Sequence, residues 1–130
     1  MRPTAIKLRT LSRLLEVTFD DGQRFELPFE YLRVYSPSAE VRGHGAGQET
    51  LQIGKQKVVV AKVEPIGHYA VRLVFDDGHD SGLYTWTYLH ELGREHAQKW
   101  QRYLDRLSEL GIQYEPAKAA GSAADSAPKT

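Results

Sequence analysis

Cysteine is missing from all 130 residues, which removes disulfides, thiolate zinc sites, thiolate iron–sulfur ligation and cysteine nucleophiles in one stroke. The fold must hold by packing alone. Net charge is missing too: 17 basic and 17 acidic residues cancel, so no global field draws the chain onto nucleic acid or an anionic membrane. Arg2, Lys7, Arg9 and Arg13 make a basic start, but no aromatics are interleaved among them as a stacking platform requires. No nucleic-acid partner is expected. Nor is there an apolar run near the roughly 20 residues of a membrane span, and MRPTAIKLRT lacks a signal-peptide core. The expectation is a cytoplasmic protein with no membrane partner.

What is present suffices for one domain. Hydrophobic residues make up 41%, with 2 Trp, 7 Tyr and 4 Phe to fill a modest core. The chain is organised around residues 69–89, YAVRLVFDDGHDSGLYTWTYL. Tyr69, Val71, Leu73 and Phe75 alternate with Ala70, Arg72 and Val74 as a strand does, and AspAspGly turns the chain into a second strand and a helix start. The same construction occurs earlier, in VTFDDGQRFELPFEYL. Turn chemistry explains Asp20, Asp21 and Gly22 as well as Asp76, Asp77 and Gly78. It does not explain His79 and Asp80, which stand where the first copy has Gln23 and Arg24.

The rest reads as support. TAIKL at 4–8 predicts an edge strand, and PFEYLR, with Pro28 in the first turn, a short helix. In TyrSerProSerAlaGluVal, Ser36 is expected as N-cap and Pro37 as first helical residue. GHGAGQ at 43–48 is a loop without phosphate-loop spacing. Leu51–Ile53 and Lys57–Ile66 are expected as strands, with ValValValAlaLysVal at the sheet centre. Trp86, Leu89, Leu92, Trp100, Tyr103, Leu104, Leu107 and Leu110 form a helical stripe facing the sheet, with Gly93 separating two helices and Gly111 ending the second. The resulting class is α+β: a small, mostly antiparallel sheet built from two strand-DDG-strand units, with short helices and one long C-terminal amphipathic helix. Residues 1–112 are read as the single domain and 113–130 as a disordered tail.

LRVYSPSAEVRGHG at 32–45, with EPIGHYAVRLVFDDGHDSGLYTWTYLHEL at 64–92, resembles the DUF971 family, the gamma-butyrobetaine hydroxylase-like N-terminal domain, over roughly residues 4 to 110. The resemblance implies a small α+β domain that occurs alone in bacteria, fused ahead of 2-oxoglutarate-dependent oxygenases, or attached to P-loop iron–sulfur carriers. In the oxygenase-fused relatives it implies a zinc site of three cysteines and a histidine. Those places fall here on Ser36, Ser38, Val41 and His79. Only the histidine is kept, so neither zinc nor another cofactor is expected.

The candidate polar site is therefore His79 with Asp76, Asp77, Asp80, Ser36, Ser38, His44 and Trp86. It carries no catalytic assignment, because no nucleophile has an evident base and the oxygenase half is absent. The leading expectation is a noncatalytic interaction domain whose protein partner belongs to iron–sulfur or redox metabolism. The alternative is a metal- or anion-binding module around His79, whose nitrogen and oxygen ligands would suit iron, manganese or zinc.

Overall fold

A computed structural model describes residues 1–42 and 50–117. The α+β class holds, with the strands divided into two antiparallel sheets of three. In the first, β1 (Pro3–Arg9), β2 (Leu14–Phe19) and β3 (Arg24–Pro28) are joined in that order. Two short helices follow, α1 (Phe29–Val34) and α2 (Ala39–Arg42). The second sheet takes β4 (Val60–Ile66), β5 (Ala70–Phe75) and β6 (Leu83–Thr85). It leads into α3 (Trp86–Arg94) and α4 (His96–Glu109).

The two AspAspGly turns are the same turn. Phe19 N–H donates to Gln23 O and Gly22 N–H to Phe19 O; Phe75 N–H donates to His79 O and Gly78 N–H to Phe75 O. Gly22 and Gly78 sit at φ 85° and 91°, a region closed to most side chains. In each turn the second carboxylate accepts the N–H two residues on, Asp21 from Gln23 at 2.9 Å and Asp77 from His79 at 3.1 Å. This Asx geometry is why Asp holds that position twice.

Four sequence expectations fail for physical reasons. The apolar run at 58–63 is not central: Pro65 cannot donate to a ladder, so β4 lies at an edge and β5 occupies the centre. Leu51–Ile53 and Lys57–Val59 form no strand. The second unit does not return directly as a strand, because His79 and Gly82 are drawn inward and only Leu83–Thr85 pairs with β5. Gly93 does not break a helix; it lies inside α3, where a Cβ would run into the ring of Phe25. The break falls after Arg94.

Leu15, Val17, Leu27, Phe29, Leu32, Leu73, Tyr84, Leu89 and Leu92 form one fully buried core. α1 and α3 supply its helical side, which leaves α4 no sheet face to cover. Instead, Tyr103 and Leu107 of α4 join Val34 in a second cluster. Gly111, at φ 72°, ends α4 in a Schellman motif with Ile112 N–H on Leu107 O at 2.8 Å and Gly111 N–H on Ser108 O at 3.0 Å. The packing continues past residue 112. Tyr114 meets Trp100 edge-on and donates its hydroxyl to Glu30 Oε1 at 2.6 Å. From 118 onward the expected tail lies outside the described residues.

Candidate functional site

His79 is drawn inward by the Asp77 turn, leaving its side chain 2% exposed. Its Nε2 stands 2.8 Å from Ser36 Oγ and 3.3 Å from Ser38 Oγ. The segment bearing both serines is folded on itself, Ser36 Oγ accepting the Ser38 N–H at 3.3 Å. Ser36 is therefore not the cap of α2, which begins at Ala39. The Ser38 carbonyl receives the Val41 and Arg42 N–H groups. Close approach of the two segments depends on Gly82, where a Cβ would stand 2.5 Å from Ser36 Oγ.

Burial, followed by the nearby Arg33 charge, pushes the His79 pKa down, with Glu40 and Asp77 opposing. The ring is neutral at physiological pH. Its Nδ1 lies 3.3 Å from Glu40 Oε2, but the carboxylate is off the N–H axis and Nδ1 makes no aligned hydrogen bond.

Asp77 binds a different set. Its Oδ2 accepts from Arg33 Nε at 2.9 Å and Lys55 Nζ at 2.8 Å, and Arg33 Nη1 also donates to Gln52 Oε1 at 2.9 Å. Burial raises the carboxyl, but Lys55, the His79 N–H and Arg33 outweigh it and hold the pKa at about 2. Asp76 Oδ1 accepts the Val59 N–H at 3.0 Å. Asp80 is exposed, and Trp86 turns away, donating its indole N–H to His68 O at 2.7 Å. His44 lies outside the described residues. Of the expected set, then, the structure joins His79 to Ser36 and Ser38, and gives Asp76, Asp77 and Trp86 other partners.

Of the four places at which the resemblance implies zinc, Ser36, Ser38 and His79 converge, with Val41 bonded through its N–H to Ser38 O, but the donors do not fit the metal. Val41 offers no ligand atom and is 6% exposed. Ligands around tetrahedral zinc stand roughly 3.4 Å apart, whereas Ser36 Oγ and His79 Nε2 close directly to 2.8 Å. Among the described residues, no three His, Cys, Asp or Glu side chains are grouped to hold a cation.

Sequence reasoning missed that the two units clasp each other. Arg33, fifth residue of α1, binds Asp77 of the second turn; His90, fifth residue of α3, places Nε2 2.8 Å from Asp21 Oδ2 of the first. Tyr31, third in α1, donates to Leu92 O at 2.7 Å, and Tyr88, third in α3, donates to Tyr35 O at 2.6 Å. Leu92 is seventh in α3, and Tyr35, the cap just past the six residues of α1, holds the equivalent place. The repeat in the sequence was the available signal, since aligning the AspAspGly copies, with one residue inserted in the second, also aligns TyrLeuArg with TyrLeuHis.

Residues 6–90 match the family model described as gamma-butyrobetaine hydroxylase-like, N-terminal. Among solved structures, the chain is similar to two proteins determined by NMR in solution. The first is 46% identical with a TM-score of 0.75, covering 92% of this chain and 94% of that one. The second is 48% identical with a TM-score of 0.76, covering 90% and 87%. A crystal structure from Acidithiobacillus ferrooxidans ATCC 23270, of a DUF971 protein of unknown function, is 41% identical. Its TM-score is 0.60, and the match covers 71% of this chain and 92% of that one. No curated protein matches. No described helix is long and apolar enough to cross a membrane.

Proposed function

The chain belongs to the gamma-butyrobetaine hydroxylase-like N-terminal family, and from that premise we propose that it is a noncatalytic accessory domain that docks on a protein partner. The setting is iron–sulfur or redox metabolism, which the fusions implied by the resemblance suggest. One observation carries the noncatalytic reading. The imidazole most suited to chemistry is sealed, neutral and engaged by two serine hydroxyls, so it has no open face for a substrate. The same bonds speak against a metal module at His79, since a ligating nitrogen would have to give them up.

The test is capture of partners from native cells on the untagged protein, with elemental analysis of what is recovered. Repeated recovery of one iron–sulfur or redox protein supports the proposal. Recovery of no specific partner refutes it, and stoichiometric metal on the isolated chain, lost in His79→Ala, would replace it with the metal reading.

A further inference from the structure

A cavity of about 600 Å³ opens beside the serine segment, where the end of α1 meets α3, α4 and residues 50–52. Its size falls in the range of small-molecule sites, roughly 300–1,000 Å³. Val34, Val41 and Leu51 contribute apolar wall, and Tyr35, Tyr88 and Tyr103 contribute rings. The tyrosine hydroxyls are already committed: Tyr35 donates to Lys99 O, Tyr88 to Tyr35 O and Tyr103 to Gln52 O, each at 2.6 Å. What the rings offer a guest is surface. Burial raises all three phenols, Tyr103 to about 12, so they stay uncharged and repel no anion.

The charge comes from the rim. Arg42, Lys99, Arg102 and Arg106 line the cavity, against Glu91 alone. Lys99 is shared between Glu91 and Glu95 at 3.7 Å each, and Arg42 lies over the Tyr88 ring, 4.8 Å from its centroid. Among the described residues, Arg102 and Arg106 have no ion-pair partner, and they stand one helical turn apart on α4. Two unpaired guanidinium forks beside a ring-lined cavity are arranged for an anionic head on a flat apolar body. A chain with no net charge has concentrated four cations here, two of them without an ion-pair partner among the described residues.

We infer that this cavity binds a small organic dianion, a phosphomonoester or dicarboxylate, with its head on Arg102 and Arg106 and its body between the tyrosine rings and Val34, Val41 and Leu51. The cavity shares Ser36 with the His79 clasp, but the inferred contacts use neither that hydroxyl nor the imidazole and do not depend on the docking proposal.

The test uses the full chain and amide NMR titration with four probes: 2-naphthyl phosphate, a naphthalene dicarboxylate, neutral 2-naphthol and inorganic phosphate. Shifts at Tyr35, Tyr88 and Tyr103 with one or both naphthyl dianions, and much weaker effects from naphthol and phosphate, are expected. The two dianions distinguish the head chemistry. Arg102→Ala and Arg106→Ala, both at exposed positions, are expected to keep the native spectrum and each weaken binding about tenfold. No shift with either dianion at millimolar concentration overturns the inference. So does equal binding of naphthol, or unchanged affinity in both arginine variants.

Discussion

Asp77→Asn removes one charge from the junction of the second turn, α1 and the segment bearing Lys55. The carboxyl has an ordinary value of 3.8 and is held at about 2 in the fold. Its depression therefore stabilises the protein wherever the unfolded chain would be ionised, fully above 3.8, and that stabilisation is lost as pH falls through 2. At roughly 1.4 kcal/mol per pKa unit the upper limit is about 2.5 kcal/mol. The side chain is 23% exposed, and solvent screening brings the contribution to about 1–2 kcal/mol. Urea unfolding of both proteins at pH 7, 5, 4 and 3 measures it. The parent should exceed the variant by that amount at pH 7 and 5, with roughly half the difference gone at pH 3. A difference that is absent at pH 7, or constant down to pH 3, would refute the reasoning, because then the charge on Asp77 is not what holds Arg33.

Gly93→Ala sets two effects against each other. Helix propensity favours Ala by roughly 1 kcal/mol, whereas the new methyl collides with the Phe25 ring, and overpacking of this kind costs about 1–3 kcal/mol; a lowered urea midpoint is expected, and a raised one would mean the ring yields freely. Because burial keeps His79 and His96 neutral in the fold, the unfolded chain takes up their protons first. Stability should accordingly fall as pH drops below about 6.5, and the fall should be shallower in His79→Gln, as read from thermal melts across pH 7 to 5. The variant S36C/S38C/V41C installs thiols at the three positions where the resemblance implies cysteine and is expected to bind one zinc ion per chain by elemental analysis. Failure of that variant to retain zinc while folded would show that these positions do not converge closely enough for a tetrahedral site.

The parts legible in the sequence are those set by local rules. The AspAspGly turns, the hairpins and the Gly111 helix end were readable because backbone dihedrals select Asp and Gly there. The failures were tertiary. Val58, Val59 and Val60 suggested a buried centre, yet Pro65 five residues later already marked an edge. Gly93 read as a breaker because sequence shows a missing side chain without showing Phe25 in its place. At the site, His79 and the two serines could be singled out by resemblance, but Asp76 and Asp77 look interchangeable in one dimension. Only the fold assigns one to Val59 and the other to Arg33 and Lys55. The arginines of α4 were not legible as a site, because charge alternation along a helix says nothing about which cations lack partners.

The crossed bonds between the units have a consequence for how the molecule comes apart. Each half holds the lock for the other's helix: Asp21 and Tyr35 O of the first secure α3, and Asp77 and Leu92 O of the second secure α1. Loosening one turn therefore frees a helix in the opposite half, which in turn releases its grip on the first. Such an interlock leaves no comfortable halfway point, so the duplicated architecture melts as a single all-or-none body instead of as two tandem modules.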